Sequence, residues 1–457
     1  MEIIHRSPID EKIIFETPQS SFIQIDRTFD EATESFELWS STSKIQRSSI
    51  LRNVAESLKS NRVSIAELVR QETGKPLKLS LGEVDASIEM AFVISAECYR
   101  ESNYLIPSAI TGREILVERV PFGVAALIVS YNTPFPNFAW KVFPALMAGN
   151  SVILKPSVYN CESSQLFLDI LLSSGLPKNV VNLVFGGAEV GNYLIKKDVD
   201  LISFTGSSKV GLEIQKNVAP RLIKSILELG GSNPIVITKN TDLDKAIPVI
   251  FESAFSNAGQ RCAAGSRLII HETLIEKFYA DFGIYCQNKV VGSAVEADIG
   301  PLISLEAKEN FELFLYNCEV SGARVSRYGK IDGDSANTTR PALIAGLDPN
   351  NELAHKEIFA PGLRVFAFRT IEEAINLANM SNYGLTAAVW SEDLEAAKRL
   401  AKKIKCGVVN INGPTHGAEP SMPFGGMKNS GNGTREAGIK SVEEYSDTVV
   451  TSIFRNQ

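Results

Sequence analysis

Histidine is scarce in this sequence: four among 457 residues, at His5, His271, His355 and His416. Their number and separation argue against a histidine-rich metal centre, and no metal is expected. Cysteine is sparse too. Cys98, Cys161, Cys262, Cys286, Cys318 and Cys406 stand singly, with no Cys-x-x-Cys pair. That excludes a disulfide framework and leaves five of them as small core residues. Positive charge is not in excess: 46 Lys and Arg face 53 Asp and Glu, a formal net charge of −7. No basic face is therefore expected for nucleic acid or an anionic membrane. No apolar run is long enough to span a bilayer. The opening Met1-Glu2-Ile3-Ile4-His5-Arg6 has neither an apolar signal core nor an Arg-rich transit pattern, so a cytoplasmic location is expected.

What is present describes an ordinary soluble protein, 44% hydrophobic and 22% charged. The length predicts two or three domains. Residues 28 to 100 read as helices, over 29–39, 45–61, 64–73 and 82–99, with Gly74-Lys75-Pro76 as a stop signal. A hairpin follows, 105–110 and 114–120, turned at Thr111-Gly112; such a ribbon is marginal alone and needs another sheet or subunit. From residue 121 strands alternate with helices: strands at 124–129, 151–154, 182–184 and 201–204, helices at 138–147, 162–173, 190–195 and 209–217. A second series runs through 234–237, 267–271, 363–368, 385–390 and 408–411. Both imply doubly wound parallel sheets. Gly230-Gly231 is the natural boundary between them, where a ligand cleft is expected.

Near that boundary lies the residue with most chemistry. Cys262 stands in Asn257-Ala258-Gly259-Gln260-Arg261-Cys262-Ala263-Ala264-Gly265, after the apolar helix-like stretch 247–255. An adjacent guanidinium and nearby N–H groups would stabilise its thiolate. Upstream, Glu228-Leu229-Gly230-Gly231 places a carboxylate before two glycines that permit a tight crossing. A thiol and a distant carboxylate, with no histidine near either, point to thiohemiacetal and thioester chemistry rather than to a Cys–His protease.

Seven short strings carry a resemblance: Tyr131-Asn132-Thr133-Pro134, Lys155-Pro156-Ser157, Phe204-Thr205-Gly206-Ser207, Glu228-Leu229-Gly230-Gly231, Gly259-Gln260-Arg261-Cys262, Glu357-Ile358-Phe359 and Pro423-Phe424-Gly425-Gly426. In that order the chain resembles the aldehyde dehydrogenase superfamily over nearly its full length. The resemblance implies an α/β fold with a Rossmann-like cofactor domain (1–104 and 121–230), a catalytic domain (231–428) and a small β oligomerisation element (105–120 and 429–457). It implies a homodimer or homotetramer whose intersubunit sheet is built from the hairpin and the β-branched tail 445–454.

It also implies roles. Cys262 would be the nucleophile, Asn132 and the Cys262 N–H the oxyanion donors, and Glu228 the base that activates the hydrolytic water. Glu228 favours release of a free acid over transfer to coenzyme A, since acylating relatives typically lack this carboxylate; such an enzyme, or an inactive homologue, is the alternative. NAD or NADP would bind along Val129, Tyr131, Lys155, Ser157, Gly187, Gly191, Thr205, Gly206, Ser207, Val210, Leu229 and Gly230, with Glu357 on the nicotinamide ribose and Phe359 packing nearby. Two departures leave cofactor preference open. Val158 stands where the family commonly has a ribose-binding Glu, and the loop at Gly186-Gly187 is one residue short. For the aldehyde, Arg261, Asn137, Trp140 and Phe424 would line the tunnel, with Thr415 and His416 near it. Asn137 and Arg261 suggest a short polar or acidic substrate, a semialdehyde or hydroxyaldehyde.

Overall fold

The computed structural model describes residues 2–455 apart from residues 101, 102, 334 and 439. The ends of the proposed domain spans, residues 1, 456 and 457, and those four internal positions lie outside the described residues. No helix among the described residues is long and apolar enough to cross a membrane.

The chain opens with an antiparallel pair, Glu2–Arg6 with Ile13–Pro18, which the sequence reading did not anticipate. Its first strand alternates exposed and buried, but Ile4 is on the exposed side and His5 on the buried one, so the sequence carries no apolar alternation. Four helices follow: Phe22–Ser41, Lys44–Ser60, Arg62–Thr73 and Leu77–Ala96. The first starts earlier than apolar periodicity indicated because Ser21 and Gln24 form a reciprocal capping box. Gly74, at φ 74°, ends the third in the left-handed conformation.

A five-stranded parallel sheet then forms in the order Val181–Leu183, Ser151–Lys155, Val124–Ile128, Leu201–Thr205, Lys224–Glu228. Its middle strand explains the continuous apolar run. Ala125 and Leu127 enter one core, and Val124, Ala126 and Ile128 the other, so both faces are covered. The helix after this strand runs Pro134–Ala148, four residues longer at its start than expected. Pro134 and Pro136 look like breakers in sequence, but in the first turn their missing N–H groups lose no helical bond.

The second sheet has seven strands, in the order Arg324–Arg327, Ala342–Ala345, Gly362–Phe368, Gly265–His271, Asn233–Ile237, Thr386–Trp390, Val408–Ile411. All neighbours are parallel except the first pair. The edge strand 324–327 and its neighbour 342–345 are not among the strands expected from sequence. Two doubly wound sheets are thus the architecture. A third sheet stands apart: Ser446–Phe454 pairs antiparallel along the whole of Arg113–Pro121, which also pairs with Tyr104–Ile106. The first hairpin strand is shorter than the expected 105–110.

Only Leu229, Gly230, Gly231 and Ser232 separate the last strand of the first sheet from the strand Asn233–Ile237 of the second. A Cβ on Gly230 would collide with the Glu357 carboxylate, and one on Gly231 with the carbonyl of Cys262. This short crossing fixes what faces what in the cleft.

Candidate active site

Cys262 sits in a loop whose path is bent by three consecutive left-handed residues, Asn257, Ala258 and Gly259, at φ 54°, 53° and 67°. The strain is held from several sides. Asn257 Nδ2 donates to the carbonyls of Asn132 and Gln260, at 3.2 and 3.1 Å. Gln260 Oε1 accepts from Ile303 N at 2.9 Å and from the Tyr131 hydroxyl at 3.3 Å. Asn233 Nδ2 donates to the carbonyls of Cys262 and Ala264, at 2.7 and 2.8 Å, and the Thr415 hydroxyl to that of Ala263 at 2.7 Å. The thiol is therefore carried on a braced loop.

It opens on a cavity of about 720 Å3 between the two sheets. Glu228, at the end of its strand, faces the same space; both carboxylate oxygens are buried without a hydrogen-bond partner. Burial, with Glu436 as a like-charged neighbour, pushes the Glu228 pKa well above the usual carboxylate range, against the opposing pull of Lys141. Burial pushes Glu357 up to about 7, although Gly231 N donates to it at 3.0 Å. Asn132 lines the cavity beside them.

The thiol itself departs from expectation. Burial and the Glu228 and Glu357 carboxylates push Cys262 up to about 12. Arg261 does not hold it down. Its guanidinium feels Glu83 and Glu252 as well as the Cys262 thiolate, and its Nε is buried without a partner.

The sequence profile of the aldehyde dehydrogenase family matches residues 1–451. The chain is 35% identical to betaine aldehyde dehydrogenase of Bacillus subtilis, over 92% of this chain and 86% of that protein. It is 34% identical to 2,5-dioxopentanoate dehydrogenase of Saccharolobus solfataricus, over 92% and 89%. A crystal structure of Staphylococcus aureus betaine aldehyde dehydrogenase in complex with NAD+ superposes with TM-score 0.95 at 30% identity, covering all of this chain and 92% of that one. The chain belongs to the aldehyde dehydrogenase family.

In this aldehyde dehydrogenase the cavity gathers most of the residues singled out from sequence. Beside Cys262, Glu228 and Asn132 it is lined by Tyr131, Thr205, Gly206, Ser207, Leu229, Gly230, Glu357 and Phe359, and by Asn137, Trp140, Arg261 and Phe424. Six others lie outside that lining. Val129 is core, its N–H donating to the Lys155 carbonyl at 3.2 Å. The Lys155 side chain runs past Gly191, and burial lowers its pKa to about 8. Ser157 Oγ accepts from Tyr159 N at 3.3 Å, Gly187 precedes the short helix Ala188–Leu194, and Val210 is exposed on the helix Ser208–Val218. Ser207 caps that last helix, accepting from Val210 N.

Two buried ion pairs went unread in the sequence. Lys141 pairs with Glu436, and both bond the Ser203 hydroxyl, at 2.9 and 3.0 Å. Lys75 pairs with Glu83 and donates to the Asn132 carbonyl at 2.7 Å. A lone lysine in an otherwise apolar helix was the available signal for Lys141. Glu436 had none, since its stretch was assigned to oligomerisation; Glu436 instead pairs its backbone with Phe424 and lines the cavity. His416 lines the cavity 3.9 Å from Glu252, whereas Thr415 is buried behind it.

A thiol held this high has few thiolates at neutral pH. Alkylation of Cys262 by iodoacetamide in the cofactor-free protein is expected to be slow at pH 7 and to climb about tenfold per pH unit beyond pH 9. A rate that reaches its plateau below pH 8 would show a low-pKa thiol and contradict the geometry.

Proposed function

We propose that the enzyme oxidises a small polar or acidic aldehyde to the carboxylic acid, using NAD or NADP, through thioester chemistry on Cys262. The observation that carries this is the convergence of one thiol, one partnerless buried carboxylate and one side-chain amide on a single cavity.

In this reading the Cys262 sulfur adds to the aldehyde carbon as its proton leaves for a base in the cavity. The resulting alkoxide of the thiohemiacetal is held by the Asn132 amide and the Cys262 backbone N–H. The residues present fit a nicotinamide cofactor: Gly206 and Gly230 line the cavity with bare backbone, Thr205 Oγ1 is buried without a partner, and Glu357 presents a carboxylate. When bound, that cofactor would supply the hydride acceptor, and loss of hydride from the thiohemiacetal carbon would leave a thioester on Cys262. Glu228 then takes a proton from water, the hydroxide oxygen bonds to the acyl carbon, and the carbon–sulfur bond breaks. The acid departs and the thiol is restored. A raised pKa suits Glu228 to this step, because its conjugate acid sits nearer the working pH than that of an exposed carboxylate.

The substrate class rests on the far end of the cavity. Arg261 Nε, Trp140 Nε1 and His416 Nε2 are all buried and without hydrogen-bond partners. Unmatched polar groups are costly in an empty apolar site, so an aldehyde bearing carboxylate or hydroxyl oxygens complements them. Val158 neither accepts from a ribose hydroxyl nor repels a 2′-phosphate, which supports use of both cofactors. The protein's partner is a second copy. Leu105, Val450 and Phe454, exposed by 68, 57 and 62%, lie on the three-stranded sheet and would be covered in a homodimer or homotetramer. Light scattering at micromolar concentration is expected to give at least twice the monomer mass; a monomer would refute the assembly.

The catalytic reading is checked by an aldehyde panel followed at 340 nm with each cofactor, in wild type and Glu228→Gln. Wild-type kcat is expected to rise with pH as Glu228 loses its proton. Glu228→Gln should show a burst of reduced cofactor followed by a slow, pH-flat steady rate. Equal loss in both phases would remove Glu228 from deacylation, and neutral aliphatic aldehydes outperforming oxygenated ones would overturn the substrate class.

A further inference from the structure

The Asn132 carboxamide has two ends, and only the nitrogen end can donate to an oxyanion. Two residues are hydrogen-bonded around the carboxamide, Ser130 and Asn137. Asn137 Nδ2 lies 3.1 Å from the Ser130 carbonyl and 3.2 Å from the Ser130 hydroxyl. A carbonyl oxygen only accepts, so the group facing it must be the amide nitrogen of Asn137. That nitrogen has two hydrogens and serves both oxygens of Ser130. The Ser130 hydroxyl is thereby an acceptor for Asn137, and its own single hydrogen is left for Asn132 Oδ1, 2.7 Å away.

The chain of donors has one direction: Asn137 to Ser130 to Asn132 Oδ1. The Asn132 oxygen is committed, and Nδ2 makes no hydrogen bond to any described residue. The backbone is held as well, since the Asn132 carbonyl accepts from Lys75 at 2.7 Å and from Asn257 at 3.2 Å. Asn132 and Asn137 are 5 and 8% exposed, so water competes little for these bonds.

We infer that Ser130 and Asn137 are positioning residues which lock the Asn132 carboxamide with its N–H toward the Cys262 oxyanion. The inference rests on the proposed role of Asn132 and adds to it a device that holds the donor before substrate arrives. It also gives Asn137 a task other than the substrate contact expected from sequence: its amide is turned to Ser130, although the residue lines the cavity. Without the Ser130 hydroxyl, the carboxamide can rotate and present oxygen to a developing negative charge, which repels it.

The test is a double-mutant cycle on the full-length enzyme. Ser130→Ala and Asn137→Ala are each made in wild type and in Asn132→Ala, and the single-turnover rate of reduced-cofactor formation is read at saturating aldehyde. Cofactor affinity is followed by protein fluorescence to confirm an intact fold. Asn132→Ala is expected to lose about 100-fold. Ser130→Ala and Asn137→Ala should each lose roughly tenfold in wild type, lose nothing further in Asn132→Ala, and keep cofactor affinity. Ser130→Thr, which retains a hydroxyl, should recover most of the rate. Equal losses in both backgrounds, or no loss in wild type, would overturn the relay while leaving the role of Asn132 standing. No loss in Asn132→Ala itself would remove the oxyanion role and the relay together.

Discussion

The close approach of backbone at Gly230 and Gly231 is the constraint on which the rest of the site depends. Between the last strand of one sheet and the strand Asn233–Ile237 of the other the chain spends four residues. Over that distance it passes against the Cys262 carbonyl on one side and the Glu357 carboxylate on the other, where any side chain would collide. Glu228 at the end of one sheet and the Cys262 loop before a strand of the next are thus brought together by the crossing itself. Asn233, just beyond the crossing, fastens that loop by two carbonyls. Rigid sheets on either side mean that a small displacement at the crossing misplaces thiol and carboxylate together.

The second organising fact is electrostatic. The cavity keeps carboxylates and a thiol away from water, so burial raises Glu228, Glu357 and Cys262 alike. Lys141 and Arg435 pull the other way on Glu228 without cancelling the effect of burial, Lys141 being paired with Glu436, and Lys75 is paired with Glu83. The site accordingly favours the protonated form of each group more than water would. Its charge appears as the reaction needs it, on sulfur, on the alkoxide and on Glu228, and the fixed donors then act in a low dielectric where each is strong.

The sequence made the two sheets legible because strands buried on both faces read as continuous apolar runs, as at 124–128. The cleft was legible because glycines marked the crossing and short strings around Cys262, Glu228 and Asn132 kept their order. Long-range polar pairing was not. Lys141 and Glu436 are 295 positions apart, and nothing local to either announces the other. The charge balance at Cys262 was not legible either: Arg261 acts on Glu83 and Glu252 as well as on the thiol, and burial with Glu228 and Glu357 outweighs it. The start of the helix Pro134–Ala148 was hidden by prolines that serve as initiators there. Ser130, which looks like a loop residue, acquires meaning only once its two amide neighbours are seen in space.

The central claim is that an acyl group is carried on Cys262 and released by Glu228. Its most direct measurement is mass spectrometry of Glu228→Gln, quenched in acid after mixing with an oxygenated short aldehyde and oxidised cofactor. The account predicts an acyl adduct, of the substrate's mass less one hydride and one proton, on the peptide that contains Cys262. An absent adduct while reduced cofactor accumulates in a burst, or an adduct on another residue, would contradict it.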